Sequence, residues 1–204
     1  MYRLLSTFCE ASYFSFPMEV VPRERPDFCI RMKHSAIGVE CTRAIPEHYA
    51  RAQDIRDKLY RNAPIELSYF SGSSPSLSSS EIKRLLSQNR LTGMPSFEND
   101  LKWGWSEVMK RYILEKTEKL NGEDFERFPK NWLLIYDNIP EPALEDGVAI
   151  NYLIEFTKSY FQDALQLGEK YNAVFIMTYQ EFIVIDPNGT GRTEIVDLWQ
   201  NYRT

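Results

Sequence analysis

Two carboxylates, Asp27 and Glu40, have the residue types and the placement of a metal site. Asp27 follows Pro26 at the start of one apolar, strand-like segment, and Glu40 lies near the end of the next. Two bare anions in one pocket would repel each other and lose solvation. A divalent cation removes that cost, and Mg²⁺ binds readily through one or two carboxylates together with waters and a substrate phosphate. The pair therefore predicts a magnesium or manganese site.

A β-hairpin must bring these carboxylates together. The apolar segments over 28–33 and 37–42 predict two strands, and the short link His34-Ser35-Ala36 predicts a tight turn between them. Helical spacing of apolar residues predicts a helix over 1–16 before the hairpin and another over 46–62 after it. The prolines at 17, 22 and 26 favour extended backbone between the first helix and the hairpin.

The remaining pattern alternates helices and strands and predicts an α/β (α+β) fold in one domain over 1–204. Residues 71–97 are polar and serine-rich at their start, which is typical of an insertion. We predict a strand over 65–70, a serine-capped helix over 81–90, a helix over 98–120, a buried strand over 131–138, a helix over 147–170, strands over 172–178 and 181–187, and a hairpin or terminal turn over 187–195.

Lys116 is a charged residue on the apolar stripe of the helix predicted over 98–120. It follows Tyr112 by four residues and Met109 by seven, so the helical period directs its ammonium toward the core. A lysine at such a position can also extend its ammonium to solvent along the helix surface. The sequence leaves both interpretations open. The stripe comprises Leu101, Trp105, Val108, Met109, Tyr112 and Leu120.

The hairpin segment resembles the PD-(D/E)XK nuclease superfamily. The superfamily motif is Pro-Asp, a gap across a hairpin, then Asp or Glu, any residue, and Lys. Pro26-Asp27 matches its first half, and Glu40-Cys41 matches the start of its second half. Thr42 stands where the pattern has lysine, so the group that would position the attacking water is missing from its usual place. The resemblance implies a restriction-endonuclease-like fold, with a central mixed sheet flanked by helices.

The resemblance also implies the roles of further residues. Members of the superfamily can supply the lysine from a neighbouring element, and Lys116 is the first candidate here, with Lys33 the second. Gln53 resembles the helical glutamine that some branches place near the metal, and Glu10 would add a third carboxylate. The implied activity is Mg²⁺- or Mn²⁺-dependent hydrolysis of DNA or RNA. Loss of the usual lysine leaves a decayed, partner-binding protein as the alternative.

Composition narrows the cellular setting. Three widely spaced cysteines and two histidines argue against a disulfide framework or a Cys/His zinc site, and they favour a reducing compartment. The apolar runs are much shorter than the roughly 20 residues of a membrane span, so we expect a cytoplasmic protein without membrane partners. A net charge of −5 argues against a broad surface that coats nucleic acid and suits a protein partner.

Overall fold

The computed structural model describes residues 1–8, 14–45, 47–70, 77–92, 98–137, 147–162, 165–179 and 181–194. These residues form five α-helices and seven β-strands, together with one 3₁₀ turn at Leu67–Phe70. The elements in chain order are α1 Tyr2–Phe8, β1 Met18–Pro22, β2 Phe28–Met32, β3 Ser35–Ala44, α2 Glu47–Leu59, α3 Ser79–Ser87, α4 Glu98–Leu120, β4 Lys130–Asp137, α5 Val148–Phe161, β5 Ala173–Met177, β6 Glu181–Asp186 and β7 Gly189–Glu194.

The seven strands form one mixed sheet whose spatial order follows the chain, from β1 to β7. β1, β2 and β3 pair antiparallel, β4 and β5 pair parallel, and β6 and β7 continue antiparallel from β5. All five residues of β5 are buried, as is expected for a strand covered on both faces. The predicted α/β (α+β) class is confirmed at this level.

One face of the sheet packs against α1. Phe8 meets the rings of Phe175 and Phe182 edge-on, with ring centroids 5.3 and 5.4 Å apart, and Trp132 lies 4.9 Å from Phe175. Side chains alternate along each strand, so this face takes every second residue. The fully buried Leu4 of α1 belongs to the same cluster, which fixes α1 on this face.

The opposite face of the sheet carries the C-terminal part of α4. Trp132 and Leu134 of β4 point to the α1 face, so Leu133 and Ile135 point to the opposite face. Leu133 and Ile135 are fully buried. Ile113, Thr117 and Leu120 are also buried and follow each other at helical spacing. Lys116, in the same turns, contacts Glu40 of β3, whose neighbour Val39 faces α1, so the last turns of α4 lie on the opposite face.

The chain forms two compact units, and the sheet belongs to the first of them. The first unit comprises Met1–Arg43, Tyr112–Asp137 and Thr157–Thr204. The second comprises Ala44–Arg111 and Asn138–Phe156, and its own apolar cluster includes Tyr49, Phe70 and Leu86. The single domain and the insertion over 71–97 stay predictions. No helix among the described residues is both long and apolar enough to span a bilayer.

Several predicted elements are confirmed. The hairpin of β2 and β3, the helix over 98–120 and the three strands that become β4, β5 and β6 all form. The hairpin turn is Lys33-His34 and not the predicted His34-Ser35-Ala36, because Ser35 already pairs with Met32. Ser78 caps α3, accepting from the backbone N–H of Glu81 at 3.3 Å, while its own N–H donates to the Glu81 carboxylate at 2.9 Å. This reciprocal capping is the reason that a polar segment becomes a helix start.

Other predicted elements are wrong in type or in length, and packing or backbone conformation gives the reason in each case. The strand over 65–70 is a 3₁₀ turn with one isolated bridge between Ile65 and Leu91, because Phe70 packs into a helical cluster. The helix over 1–16 does not reach its predicted end, because Phe14 turns away to pack on Trp132. The helix over 147–170 ends at Phe161, since the chain then makes a loop with positive φ at Gln166 and Gly168.

Gly38 lies in β3, the third of the seven strands, at a closely packed point of the sheet. A Cβ atom there would lie 2.7 Å from a ring carbon of Phe128, 2.9 Å from the Pro26 ring and 3.0 Å from Asn131 Oδ1. We expect Gly38→Ala to lower the free energy of unfolding by about 1–3 kcal/mol, measured by urea denaturation. Gly191→Ala is the matched control, because a Cβ there meets nothing within 4 Å. Equal stability of the two variants would contradict this packing.

Candidate functional site

Asp27 is held at the start of the hairpin by two main-chain contacts. The backbone N–H of Cys41 donates to Asp27 Oδ2 at 2.7 Å, and the N–H of Arg23 donates to the Asp27 carbonyl at 2.8 Å. Phe28 pairs with Val39, so the same register continued by one residue sets Asp27 opposite Glu40. Residues directly opposed in an antiparallel pair share one face of the sheet. The hairpin thus brings the Asp27 carboxylate to the backbone of Cys41, the residue that follows Glu40.

Glu40 meets Lys116 on the sheet face that carries α4. Lys116 Nζ lies 2.5 Å from Glu40 Oε1, and the two side chains are only 13% and 9% exposed. The ammonium therefore turns toward the sheet rather than out to solvent. Because burying one charge without its partner costs several kcal/mol, the two residues depend on each other in this position.

Hydrogen bonds anchor the last turns of α4 and so fix the position of Lys116. The Tyr171 hydroxyl donates to the Lys116 carbonyl at 3.2 Å, and the Tyr171 N–H donates to the Tyr160 hydroxyl at 3.2 Å. Thr117 donates to the Ile113 carbonyl, so its oxygen accepts from Tyr160 at 2.9 Å. These buried hydroxyls are paired, and they tie α4 at Lys116 and Thr117 to α5 and to the segment that leads into β5.

Asn121 extends this anchoring just past the end of α4. Its Nδ2 donates to the carbonyls of Leu167 and Glu169, and its Oδ1 accepts from the Glu169 N–H at 3.0 Å. A Cβ on Gly168 would lie 2.8 Å from Asn121 Oδ1, and the φ of Gly168 is +74°. Glycine is therefore required where this loop closes around the amide.

The loop after α4 covers the segment that leads into Asp27. The Asn131 side chain accepts from the Phe128 N–H at 3.1 Å and donates to the Phe128 carbonyl at 2.9 Å, which fixes the ring against Gly38. The Arg23 guanidinium lies over that ring at 5.7 Å and pairs with Glu126. Strand β3 and this loop thus hold the Pro26-Asp27 corner from two sides.

The charges of Asp27 and Glu40 both affect the pKa values of Cys41 and Tyr171. Burial raises the pKa of the Cys41 thiol to about 11, and Asp27 and Glu40 add to this, while the N-terminal ammonium and Lys116 oppose it. Burial also raises the pKa of Tyr171, again with Glu40 and Asp27 adding to the rise. Both groups stay protonated at neutral pH. Cys41 is therefore unsuited to be a nucleophile, because the reactive species is the thiolate.

The oxygens of the two carboxylates limit what the site can bind. Each carboxylate has one oxygen engaged, Asp27 Oδ2 by Cys41 and Glu40 Oε1 by Lys116, while neither second oxygen accepts a hydrogen bond from the described residues. Within the same ranges, no group of three or more His, Cys, Asp or Glu side chains is placed to hold a metal. Two oxygen donors suit Mg²⁺, which keeps several waters, better than a metal that needs a complete protein shell.

The other predicted site residues lie in different places. Lys33 is exposed in the two-residue turn between β2 and β3, roughly 20 Å along the strand from Asp27. Gln53 is a half-buried residue of α2 in the second unit. Glu10 lies outside the described residues. Of the two lysine candidates, Lys116 is the one that contacts Glu40.

Sequence reasoning missed the residues that position Lys116. Tyr171 and Asn121 act through main-chain carbonyls more than 40 residues away in sequence, so no local pattern marks them. The available signal was the Gly168 position, since a glycine just after a polar turn often meets a close neighbour.

Comparison of the chain with models of protein families, with curated proteins and with solved structures finds no match.

The mutual dependence of Lys116 and Glu40 can be measured. We expect Lys116→Met to lower the free energy of unfolding by about 3–5 kcal/mol, because it leaves a buried carboxylate without its partner. Combined with Glu40→Gln, it should cost less than the two single losses summed, with a coupling of about 0.5–3 kcal/mol in urea denaturation. Lys58→Met, from an exposed pair with Asp54 in α2, should cost less than about 1 kcal/mol. Additive effects of Lys116→Met and Glu40→Gln would contradict the pairing.

The raised pKa of Cys41 predicts slow alkylation. A thiol with a pKa of about 11 holds roughly 100-fold less thiolate at pH 8 than one with the ordinary value of 9.0. Iodoacetamide should therefore label Cys41 at least about 100-fold more slowly in the folded protein than in urea, measured by peptide mass spectrometry. The folded rate should rise with pH up to about 11. Rapid labelling of the folded protein at pH 8 would exclude a raised pKa.

Proposed function

We propose that this protein is a Mg²⁺- or Mn²⁺-dependent nuclease that hydrolyses phosphodiester bonds in DNA or RNA, on a restriction-endonuclease-like fold and in the cytoplasm. The observation that carries this conclusion is the contact of Lys116 with Glu40, next to the residue whose N–H binds the Asp27 carboxylate. Two carboxylates and one lysine are the residue types that metal-assisted phosphodiester cleavage uses.

Lys116 takes the place of the lysine that the nuclease pattern has two residues after its Asp or Glu. Thr42 follows Glu40 by two residues and so faces the same side of β3, where the pattern has lysine. The ammonium from α4 comes to that side of the strand instead. A lysine delivered from a helix carries the same charge and the same proton as one delivered from the strand.

The residues have separate roles in the proposed reaction. Asp27 and Glu40 would hold Mg²⁺ through the oxygens that the described residues leave without a hydrogen bond, and Glu10 would add a third carboxylate. Bound Mg²⁺ lowers the pKa of water and neutralises phosphate charge. Lys116 would orient the attacking water and stabilise the charge that develops on the phosphate oxygens.

Nuclease assays test these roles. The protein should cleave single- or double-stranded DNA or RNA when Mg²⁺ or Mn²⁺ is added, and EDTA should stop the cleavage. Asp27→Asn or Glu40→Gln should reduce the rate to background, and Lys116→Met should reduce it by at least about 100-fold. Lys33→Met is the control and should keep full activity, because Lys33 lies at the far end of the hairpin.

Each variant must be shown to be folded by circular dichroism at the assay temperature, since Lys116→Met also removes a buried partner. Cleavage that survives Asp27→Asn combined with Glu40→Gln would refute the assigned site. Loss of activity in Lys33→Met alone would transfer the lysine role to the hairpin turn.

A second candidate function is a decayed nuclease fold that binds a protein partner. The burial of the Glu40 and Lys116 pair favours it, because an ion pair that is 9% and 13% exposed can serve packing alone. Calorimetric titration with Mg²⁺ and Mn²⁺ separates the two functions. Binding that disappears in Asp27→Asn supports the nuclease, while absence of any metal binding supports the decayed protein.

A further inference from the structure

A cavity of about 420 Å³ lies beside the β6–β7 hairpin, away from the candidate metal site. It is on the sheet face that packs against α1, since Phe8 and Val184 of that core line it. Its volume falls within the range of roughly 300–1,000 Å³ for small-molecule sites. The other lining residues are Thr7, Asp186, Asn188, Gly189, Thr190, Gly191 and Thr193.

The floor of this cavity is bare strand backbone. Gly191 pairs with Val184, so it faces the cavity side of the sheet, where a Cβ would meet nothing within 4 Å. Its φ is outside the left-handed region, in contrast to that of Gly189 at +142°. Neither packing nor backbone conformation therefore requires glycine at 191. Because glycine weakens a strand interior and often marks the close approach of a ligand, its presence indicates a function for the flat floor.

The walls of the cavity define the chemistry of an occupant. Phe8 and Val184 are apolar, and Asp186 is the one ionisable residue among the described residues that line the cavity. Asp186 Oδ1 accepts from the Asn188 N–H at 2.7 Å, while Oδ2 accepts from no described residue. A carboxylate can accept two parallel N–H bonds, so it selects a ligand that presents adjacent donors.

We propose that this cavity binds a planar nitrogen heterocycle with two adjacent N–H donors, of the guanine class. The ring lies flat on the backbone at Gly191, its face contacts Val184 and Phe8, and its N–H edge meets the Asp186 carboxylate. Such a ring fits a floor without side chains, and its donors complete the acceptor capacity of Asp186. Binding at this cavity does not depend on nuclease activity.

Guanosine and inosine form a matched pair of probes, because inosine lacks the exocyclic amine. Titration of the full chain without metal should give saturable binding of guanosine and at least about tenfold weaker binding of inosine, followed by NMR shifts or calorimetry. A single-stranded trinucleotide that contains guanine is the second arm. Binding of guanosine assigns a free nucleoside as the source, whereas binding of the trinucleotide alone assigns a nucleic acid strand.

Two variants test the site, and a third is the control. Gly191→Val should abolish binding by filling the floor, and it should unfold at the same or a higher urea concentration, because nothing clashes and valine favours strands. Asp186→Asn should weaken guanosine binding by at least tenfold. Arg192→Gln, on the opposite face of β7, should leave it unchanged.

The results that overturn this site are equally specific. Equal affinity for guanosine and inosine, undiminished binding by Gly191→Val, or no binding of either guanine probe would each reject it. Asp27→Asn should bind guanosine like the unchanged protein, so failure of the nuclease assay and failure of this site are separate outcomes.

Discussion

The proposed site depends on one buried ion pair, between the Lys116 ammonium and the Glu40 carboxylate. Each charge would be too costly to bury alone, so the pair exists only if α4 docks on the sheet in one register. The apolar core does not by itself enforce that register, because apolar side chains tolerate small shifts along a helix. The hydrogen bonds around the last turns of α4 fix this register.

Those hydrogen bonds come from the chain that leads into β5. Tyr171 holds the Lys116 carbonyl, Tyr160 holds Thr117, and Asn121 closes the loop at 167–169. The contacts follow each other within about one and a half turns of α4 and just beyond its end, so a shift of the helix would break all of them together. The end of α4 is therefore positioned by polar contacts with fixed partners, and its depth in the core by Ile113 and Leu120.

The sequence was sufficient where a local pattern and the tertiary structure agree. The apolar segments predicted the β2–β3 hairpin, which pairs antiparallel as expected. The α4 stripe placed Lys116 on the apolar face but left its direction open, and the contact with Glu40 decides it. It was insufficient where a distant partner decides. β1 was not predicted because only four residues separate Pro17 from Pro22, too short a run to mark a strand without its partner β2. Tyr171 was not predicted because its partner is 55 residues away.

The donor that holds Asp27 is the main-chain amide of residue 41, and this has a consequence for sequence variation. Every amino acid except proline offers that amide, so the side chain at 41 is free to change without loosening the aspartate. The nuclease pattern likewise leaves the residue after its Asp or Glu unspecified. Here cysteine uses that freedom to fill the apolar side of the strand, and other chains with this corner would be free to fill it differently.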